Sequence, residues 1–203
     1  MSAFAPTPDS PAAFALLAAG RGERFGGGKL AADLAGKPLW RWAADSALLA
    51  GLCEVHVITN DSQITHEATA AGWVAHSNHA ADEGVASSIR IAARAVASST
   101  RLVIALADMP FIEPEHLGRL ASSNGVVFTA QLDGRAGVPA AFPSQAYAQL
   151  AELAGNRGAA GIRWLDPTIL HPASRESLFD VDTEADLEQA RAVAVRLLRE
   201  ASR

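Results

Sequence analysis

Ala13-Phe14-Ala15-Leu16-Leu17-Ala18-Ala19-Gly20-Arg21-Gly22-Glu23-Arg24-Phe25-Gly26-Gly27-Gly28-Lys29 runs from a block of apolar residues straight into a loop with five glycines and three cations. An apolar run of strand length that ends in glycine reads as a buried strand feeding a tight loop. Outward from it, further apolar runs alternate with amphipathic stretches: Cys53 to Thr59, Trp73 to His76, Leu102 to Ala107, Val126 to Gln131, and either Ile169 or Leu178 to Val181. That alternation predicts βαβ units and an α/β fold: a Rossmann-like three-layer α/β/α domain with a mostly parallel sheet. The last helix has the clearest start. Thr183 stands as N-cap with Asp186 three residues on, and Leu187, Ala190, Ala194, Leu197, Leu198 and Ala201 form one apolar stripe.

A chain of 203 residues suits one domain with a sizeable core, read here as 12–203 behind a leader at 1–11 rich in Pro, Ala and Ser. With 49% hydrophobic and 19% charged residues it can fold without staples or a structural metal. A net charge of -5 with no basic run argues against nucleic acid or an anionic membrane surface as partner. The leader lacks the basic start and apolar stretch of a secretory signal, and the longest apolar run, Phe14 to Ala19, is far short of the roughly 20 residues that span a bilayer. Cys53, the single cysteine, cannot form an internal disulfide and sits in a run read as a buried strand, so a reducing cytoplasm is the expected location.

The glycine loop suits a polyphosphate. Glycines let backbone N–H groups approach phosphate oxygens, while Arg21, Arg24 and Lys29 offset the anionic charge. It is not a Walker A loop, because Glu23 stands where a glycine is needed and Leu30 follows the lysine. Nor is it a dinucleotide fingerprint, since Phe25 occupies the third glycine position. A solvated surface loop has the same composition, but a loop just beyond the carboxyl end of the first strand lies where open α/β sheets bind ligands. Asp108 closes the run Leu102 to Ala107 and should emerge on the same edge. A magnesium ion needs only one or two carboxylates plus phosphates and waters, and Asp182 is the second candidate, with Asp180 as fallback. Asp182 could equally belong to the helix cap beside Thr183, and Asp108 to a turn before Pro110. The six histidines are scattered without a zinc spacing, so no nucleophile or general base is assigned.

The loop resembles the signature of the molybdenum cofactor nucleotidyltransferases, a family in the superfamily of the sugar-nucleotide pyrophosphorylases. Four further pieces follow in the family's order: Glu83-Gly84-Val85-Ala86-Ser87-Ser88-Ile89, Leu106-Ala107-Asp108-Met109-Pro110, Gly137-Val138-Pro139-Ala140-Ala141-Phe142, and Asp180-Val181-Asp182-Thr183 through Asp186-Leu187. Together they cover nearly the whole chain. Leu17-Ala18-Ala19-Gly20, Glu83 to Ser88 and Gly137 to Phe142 together look most like the cytidylyltransferases among them.

The resemblance implies a nucleotide-diphospho-sugar transferase type of fold and transfer of CMP from CTP to molybdopterin cofactor, with Mg2+ as cofactor and a molybdoenzyme as a further partner. Guanylyl or sugar-phosphate transfer on the same fold is the alternative, and a non-catalytic nucleotide-binding chaperone for a molybdoenzyme is the second. In the family's pattern Lys29, Arg24 and Asp108 are catalytic. Leu17, Ala18, Ala19, Gly20, Arg21, Gly22 and Lys29 hold the triphosphate with Asp108. Glu83, Gly84, Ser87 and Ser88 lie near base and ribose, although the serines also suit a helix start and Glu83 a solvated loop. Asp108 and Asp182 hold the metal, and Gly137, Pro139, Asn156 and Arg157 face the acceptor. The chain departs from the pattern at Gly155-Asn156-Arg157-Gly158-Ala159-Ala160, where the family has an aspartate at 156 and an arginine at 160.

Overall fold

The computed structural model of the chain describes residues 12–20, 22, 25 and 27–201. The leader read at 1–11, and the loop residues Arg21, Glu23 and Arg24, lie outside the described residues. In chain order the strands are β1 (Ala12–Ala18), β2 (Asp33–Leu34), β3 (Lys37–Pro38), β4 (Glu54–Thr59), β5 (Val74–His76), β6 (Arg101–Leu106), β7 (Val127–Ala130), β8 (Ala136–Pro143) and β9 (Thr168–Leu170). The helices are α1 (Leu39–Leu49), α2 (Ser62–Ala70), α3 (Val85–Ala95), α4 (Pro114–Ser122), α5 (Tyr147–Ala151) and α6 (Glu184–Ala201).

Among the described residues, seven strands form one sheet in the order β5-β4-β1-β6-β8-β7-β9, parallel except where β8 runs antiparallel to both neighbours. Side chains alternate across a strand, and β1 divides accordingly. Phe14, Leu16 and Ala18 pack toward Trp40 and Ala44 of α1, Ile64 of α2 and Leu117 of α4. Ala13, Ala15 and Leu17 pack toward Ile89 and Ala92 of α3 and Leu150 of α5. This is the expected Rossmann-like three-layer α/β/α architecture. α6 closes a third apolar cluster by burying Leu187, Ala190 and Ala194 against Leu34, Leu39 and Phe111. Its start is the capping box read from sequence: Asp186 N–H donates to Thr183 Oγ1 at 3.2 Å, and the Asp186 carboxylate accepts from Thr183 N–H at 2.8 Å.

Four sequence readings change. Cys53 is exposed, because β4 begins at Glu54, which pairs with Ala13; only the residues after it enter the sheet. Leu178 to Val181 is no strand; its first residue ends a 3-10 turn at Arg175–Leu178, and the Ile169 alternative is the strand, β9. β8 and the β2-β3 hairpin are additional strands that the apolar runs did not mark. The tryptophans pack within the fold, Trp40 edge-on to Trp73, Trp42 to Phe111, and Trp164 against Phe142.

Candidate active site

The carboxyl ends of β1, β4 and β6 meet at one rim, where Gly20, Gly22, Gly28 and Lys29 of the glycine loop also lie. Gly28 adopts a left-handed conformation (φ 67°) at the start of the 3-10 turn Lys29–Ala31 and so turns Lys29 inward. Gly22 lies over the lysine stem: a Cβ there would come within 3.3 Å of Lys29 Cβ, and its φ of 58° is again one that glycine tolerates. The result is a lysine only 9% exposed. A buried ammonium must be paired. Lys29 Nζ donates to Asp108 Oδ2 at 2.7 Å and to Asp182 Oδ1 at 3.4 Å.

Asp108 reaches this point because β6 continues one residue past its end, with Ala107 N–H bonded to Leu17 O. Its backbone carbonyl then accepts from Val181 N–H at 3.0 Å, which draws the 180–182 segment alongside. Three distant parts of the chain thus place one cation between two carboxylates. Capping of α6 falls to Thr183 and Asp186, while the Asp182 carboxylate turns toward Lys29. Asp180, exposed beside them, has its carboxyl pushed up by desolvation and then by the Asp182 and Asp108 charges.

Asp108 Oδ1 is buried with no hydrogen-bond partner among the described residues. An ionised oxygen left so is costly, and a hard divalent cation is the partner its chemistry favours. The residues therefore fit a metal. Among the described residues no three His, Cys, Asp or Glu side chains group to hold one. Phosphate oxygens and water would complete the coordination, as magnesium prefers.

Two clefts flank the lysine. One, of about 190 Å³, is lined by Leu17, Ala19, Gly20, Gly84, Ser88 and Asp108 among others. The second, of about 520 Å³, opens over Ala18, Gly22, Asn60, Asp61 and His79. They share Ala19, Gly20, Lys29, Leu30 and Ala81, so the glycine loop borders both. Of the anticipated nucleotide residues, Leu17, Ala18, Ala19, Gly20, Gly22, Lys29, Gly84, Ser88 and Asp108 come together here. Glu83 does not line either cleft: it is exposed and ion-paired with Arg90. Ser87 is 1% exposed and donates to Gly84 O, as a residue of the first turn of α3. Arg21 and Arg24 lie outside the described residues.

The acceptor candidates divide. Asn156 packs on Gly84, a residue of the first cleft, where a Cβ would fall 2.0 Å from Asn156 Oδ1, but Asn156 itself does not line the cleft. Arg157 is exposed nearby and folds toward Gly161. Gly137 lies beneath the side chain of Gln131, and Pro139 is buried in β8 with its carbonyl bonded to Thr129 Oγ1. Sequence reasoning missed Asn60, Asp61 and Asn78. The signal was available for Asn60, which directly follows a strand at the ligand-binding edge.

No helix among the described residues is long and apolar enough to cross a membrane. No curated protein matches the chain. Solved structures do resemble it in fold. A nucleotidyl transferase from Methanothermobacter thermautotroptrophicus superposes with a TM-score of 0.77 at 20% identity, over 92% of this chain and 98% of that one. A CMP:2-keto-3-deoxy-manno-octonic acid synthetase complexed with CTP gives 0.71 at 18% identity, over 92% and 99%. The molybdopterin-guanine dinucleotide biosynthesis protein A from Archaeoglobus fulgidus gives 0.67 at 20%, over 90% and 98%. Residues 14–171 match the model of the MobA-like NTP transferase domain. The chain belongs to that family and is a nucleotidyltransferase.

Proposed function

We propose that the chain transfers CMP from CTP to molybdopterin cofactor in the cytoplasm, using magnesium, and that residues 12–203 form the single domain that does so. The observation that carries the reading is the meeting of Lys29, Asp108 and Asp182 beside the glycine loop. The motif resemblance to cytidylyltransferases favours CTP and molybdopterin. The exposed free thiol of Cys53 suits a reducing compartment.

A phosphate oxygen of the acceptor attacks the α-phosphorus of CTP. A new P–O bond forms as the bond to the β-phosphate oxygen breaks, and pyrophosphate leaves with its electron pair. The nucleophile is already anionic, so no side chain needs to take a proton. Lys29 and the backbone N–H groups of the glycine loop hold the leaving charge, and the chemistry is chiefly positioning and charge stabilisation. A divalent ion held by Asp108 and Asp182 would neutralise phosphate charge at the reacting centre. Asn156, against Gly84, and Arg157 stand toward the acceptor.

The test is a pyrophosphate-release assay with CTP, GTP, ATP and UTP, each against molybdopterin cofactor and against sugar phosphates, with magnesium. Turnover with CTP and molybdopterin supports the reading. Preference for GTP or for a sugar phosphate replaces it with the corresponding transferase, and nucleotide binding without turnover replaces it with a non-catalytic module.

A further inference from the structure

We infer that Asn78, which does not line the clefts, sets what the nucleotide slot recognises by fixing the direction of the Ser88 hydroxyl. The inference rests on the proposed nucleotidyl transfer and adds the hydrogen-bonding class of base that the slot accepts.

Asn78 is fully buried. Its amide orientation follows from its neighbours. The Ala80 backbone N–H can only donate, so the amide oxygen must face it, at 3.0 Å. The amide nitrogen therefore faces α3, 2.8 Å from Ser87 Oγ and 2.9 Å from Ser88 Oγ. Asn60 locks the backbone of the same residue, donating to Asn78 O at 2.6 Å and accepting from Asn78 N–H at 2.8 Å. Both side-chain hydrogens of Asn78 are thus committed to hydroxyl oxygens.

Each serine has one proton to place. Ser87 gives its proton to Gly84 O at 2.7 Å. Ser88 accepts from Asn78, and this is its one side-chain hydrogen bond among the described residues. Its oxygen being an acceptor on the Asn78 side, its O–H is left for the first cleft, which Ser88 lines. The other uncharged side chains around that cleft are apolar, among them Leu17, Ala19, Val85 and Leu106, while Lys29 and Asp108 hold each other. Ser88 is then the neutral side chain of that lining with a proton to offer a base, because Asn78 takes up one of its lone pairs and leaves its O–H free. The slot takes a base that presents an acceptor at that point, a carbonyl oxygen or an unprotonated ring nitrogen.

Asn78→Asp is nearly isosteric and keeps an acceptor for Ala80 N–H, but it turns an oxygen toward the serines. Ser88 must then donate to residue 78 and offer a lone pair to the cleft. The experiment is a double-mutant cycle on the full chain. Binding of CTP, UTP, GTP and ATP with magnesium is measured by calorimetry for the wild type, Asn78→Asp, Ser88→Ala and the double variant. The best-bound nucleotide should weaken about tenfold in Asn78→Asp, the scale of one hydrogen bond lost. Asn78→Asp should change nothing further once Ser88 is alanine. An equal loss in both backgrounds overturns the inference, because Asn78 would then act on the fold and not through Ser88. If Asn78→Asp does not fold, Asn78→Ala carries the same cycle without burying a charge. Failure of the wild type to bind any of the four nucleotides would instead bring down the proposed nucleotidyl transfer, and this inference with it.

Discussion

Replacing Asp108 by asparagine preserves the side chain's shape and removes its charge. Two effects on the metal-free fold oppose each other. The 2.7 Å bond to Lys29 loses its ionic partner, a change of about 1.5–3 kcal/mol for a charge-assisted bond. Against this, the buried Oδ1, unpartnered among the described residues, no longer carries charge out of water, a relief of similar size. Without magnesium the melting temperature should therefore move by no more than about 4 °C, on the scale of about 2–4 °C per kcal/mol for a domain of this size. Magnesium separates the two proteins. At ten times its dissociation constant the ion stabilises the wild type by about 1.4 kcal/mol, or about 3–6 °C, and this response should vanish in the variant. Loss of charge stabilisation at the reacting phosphate should lower kcat about 100- to 1000-fold in the pyrophosphate assay. An unchanged magnesium response, or activity within tenfold of wild type, would refute the assignment of Asp108 to the metal.

Lys29→Met keeps the length of the stem beneath Gly22 and removes the ammonium; KM for the nucleoside triphosphate should rise about tenfold or more, read from initial rates at varied nucleotide. His116 is buried, with Nε2 on Thr129 Oγ1 and Nδ1 facing Arg119; desolvation and then the Arg119 charge lower its pKa to about 4. Between pH 6.5 and 4 the unfolded chain takes up a proton that the folded chain refuses, so stability falls as pH drops through that window, by up to about 3 kcal/mol. His116→Gln should flatten that slope in urea titrations, and an unchanged slope would show that His116 does not set it. Gly84→Ala would place a Cβ 2.0 Å from Asn156 Oδ1 at a φ of 93°, and thermal melts should show a loss of about 1–3 kcal/mol. Cys53 should react stoichiometrically with a thiol reagent in the native protein, since it is exposed.

The parallel half of the molecule was legible because its signals are local. β1 is an unbroken apolar run, β6 is one after its first residue, Arg101, and β4 is largely apolar between Glu54 and Thr59, and a buried parallel strand needs little else. β8 was hidden by its composition. Ala-Gly-Val-Pro-Ala-Ala-Phe-Pro has two prolines and small residues, a pattern that argues against a strand inside a sheet. The sheet accommodates Pro139 through an irregularity. Phe128 pairs with Ala140 but Thr129 with Gly137, so Val138 and Pro139 bulge out of the β7 ladder. The ladder to β6 ends at Ala140, so it requires no N–H from Pro139. No periodicity could have shown that tolerance.

The site was legible in its charges and less so in its neutral groups. Lys29 and Asp108 stand out because a loop after a strand and an aspartate ending another must meet on a parallel sheet's edge. Asp182 was ambiguous with a helix cap until the Val181 bond to Asp108 fixed which way it turns. Asn78 gave no signal at all, since its importance lies in two amide hydrogens shared between serines nine and ten residues on. Glu83 looked like part of the motif but pairs with Arg90, a partner seven residues away that the motif does not include.

The contact from Lys29 to Asp182 spans 153 residues, so the first charged group of the rim is synthesised long before the last can reach it. A nascent chain carries its glycine loop while the segment from 180 onward is still inside or just leaving the ribosome. The charge cluster is therefore completed late, and a product truncated before the segment that leads into α6 would lack its third member. Completion of the Lys29–Asp108–Asp182 cluster thus depends on docking of the segment that leads into α6.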